Sequence, residues 1–111
     1  MASRRKEHQE DAKFRVFQII NENPHMTSRE IAQKVGISNG SAYYFLTSLI
    51  EMGFIKLSNF KNSSQKIKYS YFLTPKGILE KSLVTRKFLV RKKQEYELLK
   101  KEISKLERDL S

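Results

Sequence analysis

The sequence has no cysteine, which excludes disulfides and thiolate metal sites and is compatible with a reducing compartment. No apolar run approaches the roughly 18 residues that a membrane span needs. The opening MASRRKEHQEDAK lacks the apolar stretch of a signal peptide. A cytoplasmic chain without a membrane partner is therefore the expectation. Glycine and proline are sparse, four and two in 111 residues, and none lies beyond Gly77. The C-terminal third thus holds no helix breaker. His8 and His25 are isolated, carboxylates do not cluster, and no glycine-rich phosphate loop occurs. Nothing points to an enzyme, and no metal or other cofactor is expected. The length fits one compact domain with a single appendage.

Acidic residues are also scarce: 12 against 22 Lys and Arg, a formal net charge of +10. Such a field favours a polyanion, unless the charge is only a solvated coat. Its distribution is uneven. Residues 14–53 are balanced. Residues 54–73 hold Lys56, Lys61, Lys66 and Lys68 with no acid. Residues 76–93 hold seven bases against Glu80 alone, and residues 94–111 hold four bases and five acids. One central stretch carries the excess, which suggests a face rather than a coat.

Residues 11–22 place Phe14, Val16, Phe17, Ile19 and Ile20 at helical spacing, and Pro24 ends that helix. Residues 1–10 have no such stripe and read as a loose basic arm. Thr27 and Glu30 form a capping box, followed by Ile31, Ala32 and Val35. Gly36 supplies a left-handed terminus. Ser38 caps the next helix, whose broad apolar face is Ala42, Phe45, Leu46, Leu49, Ile50 and Met52. Two short helices across a Gly-Ile-Ser turn make a helix-turn-helix.

After Gly53 the period changes. Residues 54–57 read as a strand, residues 58–65 as a polar loop and residues 66–73 as a second strand. In that second strand Ile67, Tyr69, Tyr71 and Leu73 share one side, Lys66, Lys68 and Ser70 the other, and Phe72 interrupts the polar side. A hairpin in this place is a wing. Thr74-Pro75 then starts a long helix. Tyr96, Leu99, Ile103, Leu106 and Leu110 are spaced 3-4-3-4, a heptad seam. Extended backward, the same register meets Lys92, Leu89, Thr85, Ser82 and Ile78, so it weakens toward the middle. Residues 83–90 are expected to pack partly on the domain.

The fold class expected is thus mainly α with a small β-hairpin. A winged helix-turn-helix over residues 11–77 is followed by a helical dimerisation arm over residues 78–111. In this order of elements the chain resembles the MarR-type winged-helix regulators, through MTSREIAQKVGIS, LTSLIEMGFI and YSYFLTPKG. The stretch GFIKLSNFKNSSQKIKYSYFLTPKGILEK is similar to the subgroup of exopolysaccharide-associated MarR-family regulators. The resemblance covers roughly residues 12–110. It implies a transcriptional regulator, with exopolysaccharide genes as targets. The chain departs from the subgroup at SNGSAYYFL, which replaces a more basic run.

Helix-turn-helix proteins set the second helix in the major groove with its N-terminal residues at the base edges. Here those are Asn39, Gly40, Ser41, Tyr43, Tyr44 and Thr47, with Asn39 suited to adenine. Tyr44 either reads DNA or packs under the wing. Gly40 serves either a close phosphate approach or an easy helix start. Ser28, Arg29 and Ser38 are candidate backbone anchors, and Lys61, Lys66 and Lys68 candidate wing contacts to phosphate or minor groove. Phe60 is read as folding back on the hairpin. Residues 86–93 either flank DNA or form a solvated helix face. Leu89, Tyr96, Leu99, Ile103, Leu106 and Leu110 are the dimerisation set, and flanking charge decides neither a parallel nor an antiparallel pairing. Double-stranded DNA and a second copy are the partners expected. A protein-interaction adaptor and an RNA binder are the competing readings, the latter weakened by the lack of an aromatic-studded sheet.

Overall fold

The computed structural model describes the backbone of residues 2–61 and 67–111 and the side chains of residues 8–59 and 69–111. Four helices and a hairpin follow one another among these: α1 (Ala2–Glu22), α2 (Ser28–Val35), α3 (Asn39–Glu51), β1 (Ile55–Lys61), β2 (Ile67–Leu73) and α4 (Pro75–Leu110). Val16, Phe17 and Ile20 of α1 are buried, as are Ile31 of α2, Leu46 and Leu49 of α3, Phe54 and Ile55 just after it, and Val84 of α4. These side chains form one core.

The local signals set the helix ends. Thr27 caps α2 reciprocally: the Glu30 amide donates to Thr27 Oγ1 at 3.1 Å and the Thr27 amide to Glu30 Oε1 at 3.3 Å. Gly36 closes α2 with φ +80°, and the amides of Gly36 and Ile37 both return to the Ala32 carbonyl. Ile50 and Met52, counted with the apolar face of α3, are 38% and 52% exposed. Ile50 is in the last turn and Met52 just past it, and at 3.6 residues per turn they fall on either side of the buried line of Ala42, Leu46 and Leu49.

Three further expectations are corrected. Residues 2–10 are helical, not a loose arm. They contain no breaker, and the helix they extend is held against α4. Arg91 forks onto Glu10 (2.9 Å) and Asp11, Lys13 pairs with Glu80 at 3.1 Å, and Phe14 stacks on Phe88 with ring centroids 4.3 Å apart. β1 runs to Lys61 rather than ending at Leu57, because backbone pairing such as Ser58 with Ser70 and Asn59 with Tyr69 does not need apolar side chains. Ser70 is fully buried although the alternation puts it outside, and Tyr69 is 54% exposed. The loop after α1 lies along β2: the Tyr71 amide donates to the Pro24 carbonyl at 2.9 Å, and His25 Nδ1 is hydrogen-bonded to Ser70 Oγ at 2.6 Å.

α4 has 36 residues, about 54 Å at 1.5 Å per residue. Thr74 caps it, with the Gly77 amide donating to Thr74 Oγ1 at 3.0 Å. Of residues 83–90, Val84 is buried and Phe88 half-buried, while Leu83, Leu89 and Val90 stay exposed. From Lys92 to the end every residue is exposed.

Gly77 lies against the Phe54 backbone, and a methyl there would meet the Phe54 oxygen at 1.8 Å. Gly77→Ala is expected to destabilise the fold by about 1–3 kcal/mol in urea unfolding. Gly40→Ala, whose methyl meets nothing within 4 Å, should instead be neutral or stabilise by up to about 1 kcal/mol.

Candidate nucleic-acid interface

α3 is placed by its buried side, where Ala42, Leu46 and Leu49 recur at positions i, i+4 and i+7. That spacing fixes which residues face outward. Asn39, Gly40, Ser41, Tyr43 and Tyr44 are exposed, the two tyrosines to 67% and 75%, and Thr47 is half-buried. The Ser38 hydroxyl holds the start of the helix. It accepts from the Ser41 amide at 3.1 Å and donates to Ser41 Oγ at 2.9 Å. Ser41 keeps its own hydroxyl proton for an outside acceptor. Ser38 therefore acts on the exposed face by positioning Ser41, and its own hydrogen-bonding capacity is largely taken.

The two tyrosines diverge. Tyr43 lies on the hairpin side, near enough to Tyr71 of β2 to perturb its ionisation. Tyr44 lines a groove between α3 and residues 8–13 of α1, of about 840 Å³, together with Phe45, Met52, Ile37 and Lys13. The tyrosine beside the wing is Tyr43, and Tyr44 does not pack beneath it. No sequence signal marks this groove, because part of one wall, His8 to Glu10, belongs to the stretch read as a loose arm.

The exposed face of α3 is neutral: Glu51, in its last turn, is its only charge. Positive charge flanks it. Arg29 is exposed at the start of α2, and Ser28 beside it is half-buried. In the first turn of α2 the Glu30 amide is taken by Thr27, which leaves the amides of Ser28 and Arg29 without an intrahelical acceptor. Lys56 is exposed on β1. Lys61 and Lys68 sit at the end of the hairpin where the two strands are joined, with Lys61 paired to Ile67 and Lys68 to Phe60. The side chains of Lys61, Lys68 and Phe60 lie outside the described residues, as does Lys66 entirely. The basic block of residues 86–93 is less free than its sequence suggests. Arg91 is bound by Glu10 and Asp11, Lys87 lies 4.0 Å from Glu10, and Lys92 pairs with Glu95 at 3.1 Å. Arg86 and Lys93 remain exposed in that block.

A family model described as winged helix-turn-helix DNA-binding matches residues 9–56. No curated protein matches the chain. Solved structures share the fold. A PadR-like transcriptional regulator from Bacillus cereus superposes with a TM-score of 0.68 at 18% identity, over 78% of this chain and 89% of that one. Staphylococcus aureus MarR, in complex with salicylate and kanamycin, gives 0.53 at 25% identity, over 79% and 56%. The transcriptional repressor CouR, bound to a 23-mer DNA duplex, gives 0.51 at 23% identity, over 66% and 50%. The chain thus spans about half the length of the last two.

Burial, and secondly the neighbouring Tyr43, raise the pKa of the Tyr71 phenol above its ordinary 10.0. The folded state therefore holds the proton longer than the unfolded chain. The associated stability is complete below pH 10.0 and is lost as pH climbs through the raised folded value. Thermal unfolding of Tyr71→Phe should lose less stability than the parent on moving from neutral to strongly alkaline solution. Identical alkaline losses in both proteins would exclude this origin.

Proposed function

We propose that the chain is a sequence-specific, double-stranded DNA-binding transcriptional regulator of the MarR type, acting as a homodimer in the cytoplasm. The observation that carries this reading is the neutral, outward face of α3, rigidly capped and set between positive elements. A major groove accepts a helix with short polar and phenolic side chains at its N-terminal turns. Asn39 offers both a donor and an acceptor, suited to adenine. Ser41 supplies a hydroxyl, and Tyr43 and Tyr44 reach thymine methyls or phosphates. Lys61, Lys66 and Lys68 of the hairpin grip the adjacent backbone, and Ser28 and Arg29 anchor a phosphate on the other side. Target genes concerned with exopolysaccharide follow from the subgroup that the hairpin and LTPKG segment resemble. Two reading helices in a dimer call for a pseudo-palindromic site, with half-sites about 34 Å apart or a multiple of that.

Gel shifts on a selected site and on random duplex test the reading. Asn39→Ala and Tyr43→Ala should each weaken specific binding by about 1–3 kcal/mol while scarcely touching random DNA. Alanine at Lys61, Lys66 or Lys68 should weaken both alike and reduce the log–log salt slope by about 0.9 for each phosphate no longer neutralised. A protein-interaction adaptor would show no steep salt-sensitive DNA binding at all. Equal loss of specific and random binding in the α3 variants would remove base readout.

A further inference from the structure

The exposed side of α4 carries more than a short C-terminal seam. Ile78, Leu89, Tyr96, Leu99, Ile103, Leu106 and Leu110 are all large apolar residues exposed to between 46% and 90%. Ser82 and Lys92 between them are exposed too, and Thr85 is half-buried. All ten lie in one 3-4 register, on a different side of the helix from Val84, Phe88 and Arg91, which face α1. The Thr85 hydroxyl is satisfied by the Lys81 carbonyl at 2.6 Å, so its methyl can meet an apolar neighbour. The lower half of this stripe is rich in large residues, and the upper half alternates them with small or polar ones.

We propose that a second copy of this chain covers the stripe in antiparallel register. Ile78 then faces the partner's Leu110, Ser82 the partner's Leu106, Thr85 the partner's Ile103, Leu89 the partner's Leu99 and Lys92 the partner's Tyr96. This register rests on the homodimeric reading above and assigns its geometry. Every layer then joins one large side chain to a complement, and each pairing is of the a-to-d kind that antiparallel coils use. Lys92 already lies over the Phe88 ring at 5.1 Å, and Lys100 over Tyr96 at 5.9 Å. Placing the Lys92 stem on the partner's Tyr96 repeats an interaction that this surface makes within one chain.

A parallel pair would do worse on three counts. It sets Ser82 on Ser82, Thr85 on Thr85 and Lys92 on Lys92, which isolates the Ile78 and Leu89 layers and leaves residues 96–110 as the only continuous apolar seam. That is about 21 Å of helix, against about 48 Å for residues 78–110. It also lays residues 76–93 beside their own copy, and with Lys87, Arg91 and Lys92 met by acids, Lys76, Lys81, Arg86 and Lys93 still face like charge there. The antiparallel pair lays that segment along residues 94–111, with four bases and five acids, and sets Lys81 near the partner's Asp109. Finally, Val84 lies about ten residues from the two-fold axis near position 94, so the two winged-helix cores are about 30 Å apart along the coil. A parallel pair would set them at the same level with no offset along the coil, whereas successive major grooves on one face of a duplex are about 34 Å apart.

The chain has no cysteine, so introduced thiols report proximity cleanly. Full-length Ser82→Cys and Leu106→Cys are purified separately and treated with a short bis-maleimide, alone and after mixing. The mixture should give covalent dimers, and the double variant should be cross-linked almost entirely, while each single variant gives only traces. Sedimentation of the untreated proteins checks that the dimer persists. Efficient self-linking of Leu106→Cys in a sedimenting dimer would overturn the antiparallel register and leave the homodimer standing. A sedimenting monomer without cross-links in any arm would overturn the homodimer as well. Gel shifts, run separately, decide DNA binding independently of both.

Discussion

One backbone carbonyl, that of Phe54, ties the parts of the molecule together. It accepts from the Thr74 amide at 3.0 Å and from the Thr74 hydroxyl at 3.1 Å, and the same hydroxyl donates to the Gly53 carbonyl at 2.5 Å. Lys76 Nζ adds a bond to the Met52 carbonyl at 2.8 Å. The end of α3, the start of β1, the end of β2 and the start of α4 thus meet within a few residues. Gly77 permits this closeness because it has no side chain. The last carbonyls of α3 must find donors; those of Ser48, Leu49 and Ile50 take the amides of Met52, Phe54 and Gly53, and the carbonyls just past the helix take their donors from the cap and first turn of α4. The direction of α4 and the position of the hairpin beside α3 follow from the same junction.

The elements with local causes were legible in the sequence. The capping box at Thr27 and Glu30, the left-handed Gly36, the Ser38 cap and the Thr74-Pro75 start each depend on residues within a turn of one another. Their order was enough for the winged helix-turn-helix and for the residues of α3 that face outward. What escaped the sequence depends on distant partners. Residues 2–10 have no apolar stripe of their own, and the helix shows only once Glu10 and Asp11 are seen to meet Arg91, about 80 positions away. Ser70 looks solvent-facing until the loop carrying Pro24 and His25 lies across β2. Gly77 looks like an ordinary helix residue until the Phe54 oxygen is placed beneath it.

The candidate site was legible in part for the same reason. Exposure of Tyr43 and Tyr44 follows from helical period alone. Which of the two faces the hairpin does not, because it depends on how the hairpin is set beside α3. The excess of bases in residues 76–93 also overstated the free charge, since three of them are held by acids on α1 or within α4 itself. The division of labour that results is physical: a neutral reading surface on α3 and cations on its flanks. Neutral hydrogen-bonding groups discriminate by geometry, and cations attract at range without discriminating.

The fork of Arg91 onto Glu10 and Asp11 fixes the tilt of α4 at a point roughly midway along an uninterrupted rod. Past that point nothing among the described residues braces the helix from its own chain. Arg91 is therefore the fulcrum of a lever. A small change in angle there swings the far tip sideways by an amount that grows with every turn of helix beyond it.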